Sequence, residues 1–395
     1  MNWFSQVAAL FGFGLRTLPT RKGSAAAAIF GVAGVVAVLV GVLSIGEGFQ
    51  RVMLSTGSPA NALVQRAGAD SEMTSVLMGD TVGMIESAPG VARVNGKPIV
   101  SPELFVIVDL PKRSSGTDAN VPMRGVNQMA FAVRPEVKII EGRPFAWGRN
   151  EVIVGRGAHN EFKNTDIGTQ LKFGENQWTV VGIFSAGGGI SESELWADGN
   201  VLAPAYHRGN SYQTGVVKLA SAGSFQRFKD ALTSDPRLAV KVVRETEYYA
   251  SQSRVLRLLV TGLAVIVCSL MGLGAIFGAL NTMYTAVASR SREIATLEAL
   301  GFGTGAVMVS VIAEAMLLAL IGGLIGAGVA YLAFDGYRTA TMNWQSFSQV
   351  TFAFEVNAPL VGWAIFYALV IGLVGGLFPA IRAARMPVAN ALREG

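Results

Sequence analysis

Four long apolar segments restrict what this chain can fold into. They occupy residues 23–45, 256–288, 306–334 and 358–378, and a helix needs roughly 20 apolar residues to cross about 30 Å of hydrocarbon. Of the 395 residues, 51% are hydrophobic and 15% are charged, whereas a soluble domain carries about 25% charged residues. We therefore predict an α-helical membrane protein with four transmembrane helices.

The first apolar segment also fits one alternative, a cleaved signal peptide, because Arg16, Arg21 and Lys22 precede it. Its apolar run of about 20 residues is longer than the core of roughly 7–15 residues in a signal peptide. No cleavage site of the A-x-A type follows it. We expect a retained transmembrane helix.

The lysine and arginine residues beside the spans predict the orientation. They lie before the first span, between the second and third spans and after the fourth: Arg16, Arg21, Lys22, Arg290, Arg292, Arg382, Arg385 and Arg393. The short loop 335–357, between the third and fourth spans, carries only Arg338. We therefore expect both termini and the segment 289–305 on the cytoplasmic side, and the large region 46–255 on the external side.

The external region 46–255 mixes helix and strand patterns. Helices are predicted at 72–87 and 224–233, and strands at 62–66, 91–94, 105–108, 137–140, 151–154, 170–173, 178–184, 216–219 and 238–243. Their order predicts an α/β extracytoplasmic domain with a β-rich insertion at about 120–205. The first two spans are expected to continue into this region as stalk helices, through Ser44–Leu54 and from Glu245–Arg257.

Three cytoplasmic segments are predicted. Residues 1–22 place apolar side chains at helical spacing, which is typical of a helix lying in the membrane interface, and residues 379–395 form a tail. The segment 289–305 combines charged and apolar residues in a short amphipathic helix: Arg290, Arg292, Glu293, Ile294, Leu297, Glu298, Leu300 and Gly301. A helix connected to a span at each end acts as a lever, because a force applied to it moves both spans. This chain therefore resembles the membrane component of an assembly whose energy source is another component.

Glu314 and Asn281 are strongly polar side chains at comparable depth inside the predicted spans. Glu314 lies about 10–12 Å into the third span, where an unpaired charge is costly. It either anchors the lever segment or is a protonated or hydrogen-bonded carboxyl near the interface. Three pairs of glycines fit the G-x-x-x-G spacing of close helix packing, within the subunit or across a dimer: Gly274 and Gly278, Gly322 and Gly326, Gly372 and Gly376.

Other classes of function find little support in the sequence. The net charge of +5 follows mostly from membrane orientation, so nucleic-acid binding is not implied. His159, His207 and Cys268 are the only residues of their types, and they form no metal-ligand spacing. The glycine run 186–189 lacks the lysine and helix start of a phosphate loop, and no nucleophile–base pair indicates an enzyme.

The lever segment and the last two spans resemble a known family, the MacB/FtsX-type permeases, also called type VII ABC transporters. Arg292-Glu293-Ile294 with Ala299-Leu300-Gly301 is similar to that family's R-E-I-G…R-A-L-G coupling helix. Further matches are the run from Glu314 to Gly326, Pro379-Ala-Ile-Arg-Ala-Ala-Arg385, Pro387, Ala391-Leu392-Arg393, and, in the external region, Glu141-Gly-Arg, Glu151–Gly155, Ile167-Gly168 and Thr179–Gly182. The usual glycine is Ala295 and the usual arginine is Glu298, which implies a different charge on the ATPase-facing side.

The resemblance implies a MacB-like external domain in the bacterial cytoplasmic (inner) membrane. It implies a cytoplasmic ABC ATPase dimer as partner, with ATP and Mg²⁺ bound by that partner and no cofactor in this chain. The resemblance also implies a second permease copy, as a homodimer or in a mixed pair, contact with membrane lipids and a periplasmic adaptor. Because no G-x-x-x-x-G-K-[ST] motif occurs, we expect the ATPase to be a separate polypeptide.

Two functions follow from this resemblance. In the first, closure of the ATPase pushes the coupling helices, and the motion reaches the periplasmic domain (mechanotransmission) to move a lipoprotein, lipid or amphiphile. In the second, the same motion switches a cell-wall hydrolase or a sensor. The large external domain favours the first, because a transducer needs only a small docking module.

Overall fold

The structure is a computed structural model that describes residues 3–17, 19 and 22–385. The chain forms two units. The helical unit comprises the described parts of Met1–Glu47, Leu259–Tyr337 and Phe354–Gly395, and the α/β unit comprises Gly48–Leu258 and Arg338–Ala353. Arg21 and, in the predicted tail, Pro387 and Ala391-Leu392-Arg393 lie outside the described residues.

The described residues contain helices in both units. They are α1 (Trp3–Thr17), α2 (Lys22–Ser55), α3 (Gly79–Ser87), α4 (Ala130–Val133), α5 (Arg156–Glu161), α6 (Gly199–Ala205), α7 (Phe225–Thr233), α8 (Glu245–Ala288), α9 (Ser291–Ala299), α10 (Thr304–Phe334) and α11 (Ala358–Ala384).

The strands lie in the α/β unit. They are β1 (Asn61–Arg66), β2 (Leu77–Met78), β3 (Arg93–Val94), β4 (Lys97–Pro98), β5 (Val100–Pro111), β6 (Asp118–Val126), β7 (Lys138–Gly142), β8 (Glu151–Gly155), β9 (Gln170–Phe173), β10 (Asn176–Ser185), β11 (Leu195–Asp198), β12 (Ser211–Tyr212), β13 (Thr214–Lys218), β14 (Val240–Arg244), β15 (Arg338–Asn343) and β16 (Ser348–Ala353).

Four of the described helices, α2, α8, α10 and α11, are long and apolar enough to cross a membrane. They contain the four apolar segments found in the sequence, and the predicted continuation of the first two is confirmed. α2 runs on to Ser55, and α8 begins at Glu245 and has 44 residues. At 1.5 Å per residue α8 is roughly 66 Å long, about twice the thickness of the hydrocarbon layer.

Glycines allow close packing between helices of the helical unit. A Cβ atom on Gly326 of α10 would lie 3.0 Å from Cα of Ala33 in α2. A Cβ atom on Gly376 of α11 would lie 2.6 Å from Cβ of Ala315 in α10. Since atoms this close leave no room for a methyl group, these glycines bring α10 against both α2 and α11.

Of the four remaining glycines in the predicted pairs, two pack against a neighbouring helix and two contact none of the described residues. Gly322 faces Val32 of α2, and Gly372 faces α10. By contrast, a Cβ atom on Gly274 or Gly278 of α8 would meet no atom of the described residues within 4 Å. The pair on α8 therefore does not pack within the described part of this chain.

A sheet of ten strands forms the centre of the α/β unit, with the order β14-β1-β13-β5-β6-β11-β8-β10-β7 and β9 beside β10. The pairs β6/β11 and β8/β10 are parallel, and the other neighbours are antiparallel. The strands β7 to β11 fall within the predicted insertion 120–205, and they continue the sheet that the flanking strands begin. The predicted fold class, four transmembrane helices with an α/β domain, is confirmed.

The two ends of the α/β region meet in one apolar core. Ile85 of α3 and Phe228 of α7 are fully buried in a cluster with side chains of β1, β13 and β14. Because α3 follows β1 and α7 lies between β13 and β14, the predicted β-α-β patterns at the start and end of the region pack together.

Two predictions of local structure were wrong or incomplete. The helix predicted over 72–87 is a 3-10 turn at Glu72–Thr74, the short strand β2 and then α3. The turn is favoured because the Glu72 side chain is drawn into a buried ion pair with Arg124, 2.7 Å away. The loop 335–357 contains a hairpin of β15 and β16, which belongs to the α/β unit.

Candidate functional site

The segment between α8 and α10 forms a short helix with sharp boundaries. α8 ends at Ala288, Arg290 precedes α9, and α9 ends at Ala299. Gly301 has φ +95°, a left-handed conformation that glycine adopts without the steric cost of a Cβ atom. The Leu-Gly pair in the sequence therefore marks a turn that returns the chain from α9 to the start of α10.

One face of α9 is buried and the other is open. Ile294 and Ala295 are buried, whereas Arg292 and Glu293 are exposed. The alternation confirms an amphipathic helix, with a correction at its end. Leu300, predicted to share the apolar face, lies beyond the last residue of α9 and has 73% of its surface exposed.

A buried ion pair fastens this segment to α10. Nη2 of Arg290 donates to Oε2 of Glu314 at 2.7 Å, and the side chains are 10% and 3% exposed. The carboxyl of Glu314 is thus paired, as expected of an ionisable group at this depth. The contact shows a hydrogen-bonded Glu314 carboxyl, which fits both interpretations, so the anchoring role of Glu314 stays a prediction.

α1 packs against this ion pair. A Cβ atom on Gly14 would lie 2.9 Å from Oε2 of Glu314 and 3.2 Å from Nη1 of Arg290. At the other end of α9, the backbone N–H of Gly303 donates to Oε1 of Gln6 at 3.2 Å. α1 therefore contacts both ends of the segment between α8 and α10.

An apolar core holds the same elements together. Leu10 of α1 and Ile294 of α9 are buried in a cluster with Val287 of α8, Val307 of α10 and Ala380 of α11. Since five helices contribute to one cluster, α9 cannot shift without disturbing the ends of three long helices.

A groove of about 370 Å³ lies between α1 and α9. Leu10 and Phe13 of α1 form one side, and Glu293, Leu297 and Phe302 form the other. The groove is mainly apolar, with one exposed carboxylate at its edge. Such a surface suits a protruding apolar side chain of a partner protein with a basic group beside it.

The other predicted residues lie apart from this groove. Thr285 donates its side-chain O–H to the backbone carbonyl of Asn281, whose own side chain is exposed on α8. Glu298 is half-buried, and burial raises its pKa. In residues 3–17, 19 and 22–385, no group of three His, Cys, Asp or Glu side chains is placed to hold a metal ion.

Reasoning from the sequence missed the contribution of α1. Gly14 and Gln6 gave no signal, because a glycine and a glutamine in an amphipathic helix are ordinary residues. The pairing of Arg290 with Glu314 had one clue, a lone carboxyl inside a span with a basic residue near the end of the preceding span.

The packing of α1 against the ion pair can be tested by substituting two glycines of α1. Gly14→Val places a branched side chain against the ion pair, whereas a Cβ atom on Gly12 would meet no described atom within 4 Å. Overpacking costs about 1–3 kcal/mol, so we expect Gly14→Val to lower the melting temperature of the purified protein and Gly12→Val to leave it nearly unchanged. The change in intrinsic helix propensity is the same in both variants, because each replaces a glycine of α1 by valine. Equal melting temperatures would show that α1 is not seated on the pair.

Two family models match most of this chain. The model of the FtsX-like permease C-terminal region matches residues 262–388, which include α9 and the side of the groove formed by Glu293, Leu297 and Phe302. The model of the MacB-like periplasmic core domain matches residues 25–235, more than half of the chain. The chain belongs to the MacB/FtsX-type ABC permeases. It is therefore a permease of this family, with a MacB-like periplasmic core domain.

Individual relatives of this permease are distant. The chain is 23% identical over 419 residues to the macrolide export ATP-binding/permease protein MacB of Bdellovibrio bacteriovorus, covering 96% of this chain and 61% of the relative. It is 24% identical over 294 residues to the uncharacterized ABC transporter permease YknZ of Bacillus subtilis, covering 70% of each. This permease thus spans about three fifths of the length of that MacB relative.

A solved structure gives a weaker likeness. The periplasmic region of MacB from Actinobacillus actinomycetemcomitans is 12% identical, with a TM-score of 0.37, and the match covers 49% of this chain and 92% of that one. A TM-score this low adds no support of its own, so the family membership rests on the two family models.

Proposed function

We propose that this permease transmits ATP-driven motion of a separate cytoplasmic ATPase to its α/β unit and so moves a substrate in the periplasm or outer leaflet. The observation that carries the proposal is the buried ion pair between Arg290 and Glu314, which fastens α9 to α10 beside an open apolar groove. The buried face of α9 is fixed to the long helices, and its exposed face is free to bind a partner. A force that the partner applies to α9 would therefore be transmitted to the long helices.

The groove is the proposed docking surface for the ATPase. Leu297 and Phe302 would receive an apolar side chain of the partner, and Glu293 would face a basic group. In this proposal, ATP and Mg²⁺ are bound by the ATPase. We place α9, α1 and both termini on the cytoplasmic side, because basic residues gather at these ends of the spans.

The proposed substrates are molecules found at the membrane surface. A unit joined to membrane helices meets lipids, lipoproteins and amphiphiles at the membrane surface. The MacB relative is named as a macrolide exporter, which agrees with an amphiphilic substrate. We propose two copies of this permease per complex and a periplasmic adaptor as a further partner.

Native mass spectrometry of the permease, gently solubilised from its own membranes, tests the composition of this complex. We expect two permease chains with two separate ATPase chains, and any additional bound lipid or protein would identify a substrate or adaptor. Chemical cross-linking before solubilisation controls for subunits lost in detergent. A permease that carries no ATPase after cross-linking would contradict the proposal.

A further inference from the structure

The α/β unit contains six charged side chains that are almost completely removed from solvent. Their exposed fractions are between 0% and 4%: Glu72, Glu103, Glu194, Glu245, Arg124 and Arg134. We call them the buried charge network. Burying so many charges is costly unless each is paired, and apolar side chains of similar volume often stabilise such a site equally well.

Arg124 of β6 is the centre of the network. Its guanidinium lies 2.7–2.8 Å from three carboxylates, those of Glu72, Glu103 and Glu194. Glu103 belongs to β5, and Glu194 directly precedes β11. Since β5, β6 and β11 are neighbours in the middle of the sheet, this part of the network is fixed to the most rigid part of the unit.

Arg134 continues the network from the sheet to α8. Its Nη1 donates to Oε1 of Glu103 at 2.5 Å, and its Nε lies 3.4 Å from Oε1 of Glu245. Glu245 is the first residue of α8. An uninterrupted chain of charges therefore joins the start of this long helix to the centre of the sheet.

Glu245 also holds the end of α2. Its Oε2 accepts the backbone N–H of Ser58 at 3.1 Å and the side-chain N–H of Asn61 at 2.8 Å. Gly57, with φ +86°, brings the turn after α2 so close that a Cβ atom would lie 2.7 Å from Cγ of Glu245. One carboxylate thus ties the end of α2 and the start of α8 to the sheet.

Two further contacts attach neighbouring segments to the same region. The backbone N–H of Ile190 donates to the hydroxyl of Thr56, just after α2, at 2.8 Å. The hydroxyl of Ser193 lies 2.9 Å from that of Thr351 in β16 and accepts the backbone N–H of Thr351. The hairpin that links α10 and α11 is therefore bound to the loop that carries Glu194.

The network holds more carboxylates than guanidiniums, and the pKa values of its carboxyl groups shift in different directions. Burial raises the pKa of Glu72, Arg124 lowers it, and the neighbouring carboxylates of Glu194 and Glu103 raise it further, so the net shift is upward. Burial also raises the pKa of Glu103, but Arg134 and Arg124 together outweigh it, and the net shift is downward. The two guanidiniums therefore favour the charged form of Glu103.

We propose that the buried charge network is the joint that makes the ends of α2 and α8 move as one body with the sheet, with Glu245 as its positioning residue. This inference rests on the proposed transmission of ATP-driven motion. Ion pairs and hydrogen bonds have preferred directions, whereas apolar contacts allow sliding. A joint that must pass on a rotation therefore benefits from charges even where they add little stability.

Glu245→Gln tests the joint, with Glu247→Gln as the matched control. The amide keeps an oxygen acceptor for Ser58 and Asn61 but loses the charge that faces Arg134. Glu247 lies two residues further along α8, and its side chain is 63% exposed.

The measurement is the distance between spin labels at Arg254 of α8 and Lys172 of β9, both exposed. The single cysteine, Cys268, is first replaced by serine, and labelled permease is diluted with unlabelled permease so that only distances within one copy are seen. Wild type and Glu247→Gln should each give one distance, unchanged between the nucleotide-free and ATP-trapped complex. Glu245→Gln should give the same distance without nucleotide and a shifted second population with ATP trapped.

Two other outcomes would overturn the inference. If Glu245→Gln keeps one distance in both states, the network is not the joint. If it broadens the distance equally with and without ATP, Glu245 has only a structural role. Labels at Lys172 in both copies of the wild-type complex report separately on the proposed function, because they move with ATP whether or not Glu245 is the positioning residue.

Discussion

Glu314→Leu should lower both the stability of the permease and its coupling to the ATPase. The substitution leaves the Arg290 guanidinium, whose side chain is 10% exposed, without the carboxylate 2.7 Å away. Removing one partner of a buried ion pair costs about 3–5 kcal/mol. We expect a lower melting temperature of the purified permease and a loss of permease-dependent ATPase activity, while the apolar spans still insert and the ATPase still binds.

A double substitution separates the charge from the shape of the site. Arg290→Leu with Glu314→Leu removes both charges, so the melting temperature should recover relative to Glu314→Leu alone. The regulation of ATPase activity should stay impaired, because the directed contact between α9 and α10 is still missing. If Glu314→Leu has the melting temperature and the ATPase rate of the wild type, the ion pair is not an anchor.

Glu293→Arg should uncouple the ATPase from the permease without unfolding it. Glu293 is exposed on α9 and lies at the edge of the apolar groove, so reversal of its charge alters the proposed docking surface and no buried contact. A coupling free energy of 1–3 kcal/mol corresponds to roughly 5- to 150-fold, so we expect at least about a fivefold loss of permease-dependent ATPase activity. The melting temperature should stay at the wild-type value.

Glu136→Arg is the matched control for this charge reversal. Glu136 is an exposed residue of the α/β unit, outside the groove, and the change in net charge is the same. It should keep the wild-type ATPase rate. Equal ATPase rates in Glu293→Arg and Glu136→Arg would place the docking surface elsewhere on the permease.

The four long apolar helices of this permease could be predicted from the sequence because membrane insertion leaves a strong local signal. A run of about 20 apolar residues has few alternatives, and the stalk extensions at Ser44–Leu54 and Glu245–Arg257 continued the same periodicity. The turn at Gly301 was not predicted, because Gly301 was assigned to the amphipathic helix, although its left-handed conformation favours glycine.

The central strand β6 and the hairpin of β15 and β16 could not be predicted in this way. β6 contains Pro122 and Arg124, which disrupt the alternation of a normal strand. Arg124 is tolerated there only because three carboxylates from distant parts of the chain surround it. The strands of the hairpin are largely polar, so their local pattern is typical of a loop.

The candidate site was predictable in part. The charged and apolar residues of α9 are adjacent in the sequence, so its amphipathic character was evident. The partner of Glu314 was not, because Arg290 is 24 residues away and other basic residues lie as near to the membrane face. The roles of Gly14 and Glu245 depend on contacts between elements far apart in the chain, which a single sequence does not record.

The most direct test of mechanotransmission is energy transfer between dyes on Lys172 of the two permeases in a complex with the ATPase. Lys172 is an exposed residue of β9, and Cys268 is replaced by serine beforehand. We predict that the transfer efficiency changes when ATP is trapped, returns after hydrolysis, and stays constant in Glu293→Arg. An efficiency that is the same with and without ATP, in a complex that hydrolyses ATP, would contradict the transmission of motion to the α/β unit.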